Sequence, residues 1–419
     1  MSTTLITNIK SLVSVTQGSS ILRGSDLSTL PQIPNAFLLI EDNMIVSFGI
    51  MAELNDKYST INKISNRINA SGQFILPCWC DSHTHLVFTG SRENEFVEKI
   101  KGATYVQIAS KGGGILNSAY QIQMAPEDVL FKESWDRLQE VIKMGTGAIE
   151  IKSGYGLTLD AELKILRVIK KLKQEASIPI KATFLGAHTY PAEYKENHQG
   201  YIDLITDQML PIIARENLAD YIDVFCESGF FSVSEMETIC RAGHSYGLKS
   251  RLHVNQLNSI GGISAGIGLN AISLDHLETL TDSEIQLLSR WNGICTLLPS
   301  AAFFLGLPYS PARELIDAKS GVALASDYNP GSSPSGNMNF VISLACIQMK
   351  MLPEEAINAA TINGSHALEL SDQVGSIAIG KKANLIFTKP IPSLAFLPYS
   401  FGNNWIDKVM INGKFIHDN

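Results

Sequence analysis

Phe74-Ile-Leu-Pro-Cys-Trp-Cys-Asp-Ser-His-Thr-His-Leu86 is an apolar, β-rich run that ends in two histidines one residue apart. Side chains on a strand alternate between faces with period two, so His83 and His85 point the same way. That spacing lets two imidazole nitrogens reach one cation at about 2.0 to 2.1 Å. Alone the pair is weak evidence, because two strand histidines can equally hydrogen-bond to backbone. Seven further runs of the same kind follow: Gly147–Gly156, Ile178–His188, Tyr221–Gly229, Lys249–Leu257, Ala271–Leu280, Gly293–Ala301 and Gly321–Gly331. Most precede helix signals. Leu163, Leu166, Ile169 and Leu172 recur at near-helical spacing, Ser232 with Glu235 and Thr281 with Glu284 fit capping boxes, and Pro353 fits a first helical turn. Eight βα units in roughly 300 residues predict an α/β fold, a TIM-like (β/α)8 barrel.

Active sites of such barrels sit at the C-terminal ends of the strands. His83 and His85 end the first run, Tyr155 the second, His188 the third, His253 the fifth, His276 the sixth and Asp327 the eighth. Five of the nine histidines therefore fall where a barrel aims them at one mouth.

Both chain ends read as β structure. Ala36–Ile40 and Met44–Gly49 flank a polar turn at Asp42-Asn43, Ala383–Thr388 is one apolar run, and Ile406–Ile411 and Lys414–Ile416 flank Asn412-Gly413, a strong hairpin signal. Small sheets are marginal alone. The economical expectation is one composite β domain, residues 1–73 with 376–419, around a barrel at 74–375.

The chain has 419 residues, 45% apolar and 18% charged, enough for a large buried core. No stretch approaches the ~18 to 20 uninterrupted apolar residues of a membrane span, and Met1–Lys10 lacks a signal-peptide pattern. A cytoplasmic location is expected. A formal charge of -8 makes nucleic acid and anionic membrane poor partners. The six cysteines form no CxxC pair and read as buried free thiols.

His253 and Asp327 add a third nitrogen and a carboxylate oxygen to the histidine pair. The resulting three-His, one-carboxylate set suits zinc or another first-row divalent ion, with a position left open for water. Cys78 and Cys80 are near in sequence, but packing of small apolar side chains accounts for them.

The motif Leu76-Pro77-x-x-Asp81-x-His83-x-His85, with His253, His276 and the strand-end Asp327, resembles the amidohydrolase superfamily, metal-dependent hydrolases on a (β/α)8 barrel. Cys78 stands where that family usually has glycine. Members with two metals often bridge them with a lysine ending the fourth strand; Tyr221–Gly229 has none, so the resemblance implies one metal per chain, zinc or iron. Longer strings resemble the imidazolonepropionase family within it: Gly90-Ser-Arg92, Glu150-Ile-Lys-Ser-Gly-Tyr-Gly156, Thr183-Phe-Leu-Gly-Ala-His188, Asp223-Val-Phe-Cys-Glu227, Asp275-His-Leu-Glu278 and Asp327-Tyr-Asn-Pro-Gly-Ser-Ser-Pro334. The resemblance spans about residues 74–389 and implies opening of 4-imidazolone-5-propanoate by water to N-formimidoyl-glutamate in histidine degradation. The rival readings are another cyclic amidohydrolase or a heterocycle deaminase, and, from another class, a non-catalytic barrel, which loss of ligands would mark. All four ligand candidates are present.

The chemistry sorts the remaining candidates. Asp327 can accept the water proton or orient hydroxide, and His276 is the second acid/base candidate, with an orienting role as its bland alternative. Arg92 can grip a carboxylate in bidentate fashion, and Tyr155 and His188 can hydrogen-bond the ring or its carboxylate. In the resembling family, positions matching Asn329, Gly331 and Ser332 contact product or substrate. Gln256 matches one accepted form and is assigned binding, since an amide cannot act as a base. Asn255 replaces a common acidic residue, and Leu116–Ile122 lacks the usual threonine and arginine after Gly112-Gly-Gly-Ile115. Tyr105 is a secondary carboxylate contact. The substrate is expected to be a small molecule and the assembly a homodimer.

Overall fold

The computed structural model describes residues 2–18, 20–54, 64, 66–102 and 113–416. Tyr105 and Gly112 lie outside the described residues. Two eight-stranded sheets divide the strands between them.

The first sheet is built by both chain ends. From the N-terminal side come β1 (Thr3–Val13), β2 (Gln32–Glu41), β3 (Met44–Ile50), β4 (Asn66–Asn69) and β5 (Phe74–Pro77). Strands β14 (Leu385–Thr388), β15 (Ile406–Ile411) and β16 (Lys414–Phe415) come from the other end. The order is β16-β15-β14-β5-β1-β2-β3, with β4 also on β1. Strand β5 is the join: it runs parallel to β1 and antiparallel to β14. Ile6, Ile9, Leu38, Ile40, Ile75, Leu385, Phe387 and Met410 form its buried core. The Asn412-Gly413 turn meets the Asp42-Asn43 turn so closely that a Cβ on Gly413, whose φ is +73°, would strike the Asp42 carbonyl oxygen. Only glycine accepts both the positive φ and that approach.

The second sheet is the barrel. Its strands are β6 (Trp79–Asp81), β7 (Thr146–Lys152), β8 (Ile180–Ala187), β9 (Tyr221–Cys226), β10 (Lys249–Val254), β11 (Ser273–His276), β12 (Ile294–Leu297) and β13 (Val322–Leu324). They pair in parallel in chain order from β6 to β13. The seam between β13 and β6 closes just past the strand ends, where Asp327 N–H donates to His83 O at 3.0 Å and His85 N–H to Tyr328 O at 2.9 Å. Ser326 fastens it further, its Oγ donating to Asp81 Oδ2 at 2.6 Å. The expected helices are present: Leu163, Leu166, Ile169 and Leu172 are buried on Leu159–Glu175, and both capping boxes form. Satisfying helix-end N–H groups this way is worth about 1 kcal/mol per cap.

One boundary differs from the sequence reading. Phe74–Leu86 is not a single barrel run, because Phe74–Pro77 belongs to the terminal sheet and only Trp79–Asp81 to the barrel. The hand-over is at Cys78, whose N–H donates to Asn384 O at 3.0 Å while the next N–H, of Trp79, donates to Gly145 O at 2.9 Å. Proline at 77 lacks the N–H that a continuing ladder would use. No helix among the described residues is long and apolar enough to cross a membrane.

Candidate active site

The barrel mouth gathers the histidines. His83 and His85 follow β6, His253 lies on β10 and His276 ends β11, and the ring centroids of His83 lie 5.4, 4.5 and 5.7 Å from those of the other three. Donor atoms of His83, His85 and His253 all fall within 4.8 Å of one another, as do those of His83, His276 and Asp327. Asp327 Oδ1 is 3.5 Å from His83 Nε2 and 3.6 Å from His85 Nε2. The four expected ligands therefore converge, and His276 borders the same point.

The histidines are prepared as lone-pair donors. His83 Nδ1 lies 2.7 Å from Asp275 Oδ2 and His253 Nδ1 lies 2.8 Å from Asp223 Oδ2. A carboxylate at Nδ1 places the proton there and leaves Nε2 as acceptor, the usual arrangement behind a metal-bound imidazole. His83 Nε2 is buried with no hydrogen-bond partner, which is costly unless something binds it. Burial, then the charges of Lys152 and the neighbouring imidazoles, holds His83 and His253 well below the ordinary histidine range. Burial and then His188 do the same for His85. All three are neutral near pH 7 and able to donate to a divalent ion. Burial pushes the Asp327 carboxyl up to about 7, with His276 and Ser332 opposing it.

Beneath this layer lies a buried ionic cluster. Lys152 Nζ is 2.9 Å from Glu150 Oε1, 2.9 Å from Asp223 Oδ2 and 3.7 Å from Asp275 Oδ2, and all four side chains are fully buried. Burial works against the Lys152 ammonium, but the three carboxylates outweigh it and raise its pKa. Arg251, also fully buried, stands 3.7 Å from Asp275 and donates to Ser82 O at 2.6 Å. Two cations thus sit among the carboxylates that orient the histidines. The roles of Asp223, Asp275 and Lys152 are not apparent from sequence spacing. The available signal is the charge itself, since Asp223 in Tyr-Ile-Asp-Val-Phe-Cys lies mid-strand where an unpaired acid is rare.

His276 differs from the others. Burial lowers it, yet the adjacent Glu278, 3.2 Å from Nδ1, together with Asp327 and Asp275, raises it above the ordinary value. Its φ is +84°, and that of Asp327 is +55°. Non-glycine residues in that region are strained, and such strain is held at sites where a side chain must point one way.

Tyr155, His188, Asn329 and Ser332 border this centre, whereas the cavity that Arg92 lines includes none of the four histidines. Tyr155 and His188 pack 5.2 Å apart beside His85, at 5.6 and 5.3 Å from its ring. Burial pushes His188 down to about 4, and its Nδ1 is 3.0 Å from Gly154 O. Asn329 shapes its own loop: Oδ1 accepts from Gly331 N–H, Ser332 N–H and Tyr155 OH at 2.8, 2.8 and 3.3 Å, and Nδ2 donates to Asp327 O at 2.6 Å. Ser332 Oγ donates to Asp327 Oδ2 at 3.2 Å. Gly331 lies against Arg92, where a Cβ would strike Nη1. Arg92 directly precedes the helix Glu93–Ile100, its side chain making no capping bond, and lines a cavity of about 480 Å³ with Phe88, Tyr328 and Gly331. Gln256, half-buried after β10, makes no hydrogen bond among the described residues. Asn255 is turned away to Thr279 O and Glu284 Oε1, at 2.8 and 2.9 Å. Cys78 and Cys80 are buried free thiols in the core, raised by burial, Cys80 to about 12.

The family model described as "Amidohydrolase family" matches residues 74–416. An imidazolonepropionase of Flavobacterium johnsoniae is 56% identical over 414 residues, covering 99% of this chain and 100% of that protein. A solved guanine deaminase of E. coli superposes with a TM-score of 0.72 at 15% identity, covering 100% of both chains. An adenosine deaminase from Xanthomonas campestris, solved with bound zinc, gives 0.66 at 15% identity over 98% of this chain and 92% of that one. Those two structures share the fold.

Proposed function

The chain belongs to the amidohydrolase family, and from that premise we propose that it opens the ring of 4-imidazolone-5-propanoate with water to give N-formimidoyl-L-glutamate, a step of histidine degradation. It is a hydrolase of a metal-dependent family. The observation that carries the metal part is the buried, unpartnered Nε2 of His83, facing Asp327 and backed by Asp275. The full-length identity to the imidazolonepropionase carries the substrate.

His83, His85, His253 and Asp327 would hold one divalent ion, zinc or iron, a donor set of three imidazoles and one carboxylate that suits either. When bound, such an ion polarises a carbonyl and lowers the pKa of water from 15.7 to about 7.

The protein's own groups divide the rest. Water's oxygen adds to the ring carbonyl carbon, the carbon–nitrogen bond breaks, and the leaving nitrogen takes a proton. Asp327, held by Ser332, accepts the proton from water. His276, kept protonatable by Glu278, hands a proton to the nitrogen. Arg92 takes the propanoate carboxylate, while Tyr155 and His188 flank the ring. A neutral His188 serves as a hydrogen-bonding partner rather than a charge. Gln256 reaches the ring from the loop after β10. Asn329, Gly331 and Ser332 present the loop backbone to substrate and product. The chain works on a small molecule, in the cytoplasm, as a homodimer.

Metal-quantified protein mixed with fresh 4-imidazolone-5-propanoate, with and without a chelator, tests this. Rapid, chelator-sensitive loss of ring absorbance with formation of N-formimidoyl-L-glutamate is the expected result. No conversion by protein holding about one metal per chain would remove the substrate and leave the metal site standing.

A further inference from the structure

A guanidinium offers five N–H donors, and a bidentate carboxylate uses two of them. In this chain Arg92 has one edge already engaged: Nε and Nη2 both donate to Glu95 Oε2, at 2.9 and 2.6 Å. Glu95 is fixed in turn, because Oε1 accepts the Gly114 N–H at 2.9 Å. Both side chains are about 12% exposed. Nη1 makes no hydrogen bond among the described residues and rests on Gly331 at the wall of the cavity. Glu95 also stands one helical turn before Lys99, the spacing at which Glu and Lys normally pair on a helix. Lys99 nevertheless makes no ion pair among the described residues, although it lines the same cavity. Of its two local cations Glu95 therefore engages Arg92, three residues before it, together with the Gly114 N–H, and not Lys99.

We propose that Glu95 is a positioning residue for carboxylate recognition, gripping Arg92 by its Nε edge so that the Nη1 edge is presented to the carboxylate of the substrate. The inference rests on Arg92 being the carboxylate anchor. Arginine has a long, freely rotating stem, and fixing it before the ligand arrives removes an ordering cost from binding. A residue that merely occupied the site in competition with substrate would engage the free edge; Glu95 leaves that edge open.

The test compares metal-loaded wild type, E95Q, E95A, R92A and R92A/E95A on 4-imidazolone-5-propanoate and on an analogue whose carboxylate is a carboxamide. For the carboxylate substrate E95A is expected to raise KM by roughly tenfold or more with kcat within about twofold, the signature of lost ground-state binding. E95Q, which keeps one acceptor, falls between. With the carboxamide, E95A matches wild type, and the double variant is no worse than R92A alone. An unchanged or lowered KM in both E95Q and E95A, an equal rise for both substrates, or losses that simply add in the double variant would each overturn the role of Glu95. R92A with an unchanged KM would instead overturn the anchor.

Discussion

Asp275 Oδ2 lies 2.7 Å from His83 Nδ1, and neither side chain has any exposure. The pair fixes which nitrogen of His83 carries the proton and how its ring is turned. Asp275→Asn keeps the shape and removes the charge-assisted bond. Metal affinity should fall by about 10 to 100-fold, read by competition with a chromogenic chelator, and excess metal should restore turnover. Unchanged affinity would mean that Asp275 serves the ionic cluster and not the ligand.

His83→Ala or Asp327→Ala should abolish turnover and stoichiometric metal while leaving the circular dichroism spectrum intact. Near-normal kcat in either would sink the ligand assignment.

His276 borders the ligands but has its own carboxylate, Glu278. His276→Gln should lower kcat by roughly 10² to 10⁴-fold, the usual weight of a general acid, with metal content unchanged. A fall in metal content would make it a ligand, and a kcat within about threefold would leave it only an orienting group.

Lys152 is the cation on which three buried carboxylates depend. Lys152→Met leaves them uncompensated, and the expected loss is about 3 to 5 kcal/mol, measured by denaturant unfolding. A variant within about 1 kcal/mol of wild type would show that the carboxylates take up protons at little cost.

In metal-free protein His83, His85 and His253 have folded pKa values well below that of unfolded histidine. Unfolded chains therefore bind more protons below the unfolded value of about 6.5, so stability is present above that pH and is lost as pH falls. Asp327, pushed up to about 7, and the raised His276 work in the opposite sense, so the histidine contribution is read by comparison: from pH 7 to 5 the Tm of chelated H85Q should fall less, or rise more, than that of chelated wild type. Metal-loaded wild type should lose less of that contribution across the first part of that range, because bound ligands resist protonation.

Spacing alone made part of the site legible. Two histidines at i and i+2 are expected to point one way, and just past the end of β6 their donor atoms do converge, while capping boxes at Ser232 and Thr281 begin helices whatever the tertiary context. The charged layer below was not legible: His83 and Asp275 are 192 residues apart, and nothing local to either names the other. The loop from Asp327 to Pro334 could be placed beside the ligands, but not the inward turn of Asn329, whose side chain completes four of the loop's own hydrogen bonds. The strand boundary at Cys78 is hidden in the sequence for a simpler reason. Phe74–Trp79 is continuously apolar, so periodicity cannot say where one sheet hands the chain to another.

That hand-over sets an order of assembly. Strand β5 emerges early, but its neighbour β14 comes much later: the Phe74 N–H is received by Thr388 Oγ1, 314 residues further on. At ribosomal speeds of about 5 to 20 residues per second, the gap is roughly 15 to 60 s. For that time β1, β2 and β5 can pair with one another while one edge of β5 stays open, the kind of edge that templates wrong pairing. The nascent chain must be kept from its neighbours until Leu385–Thr388 has been made.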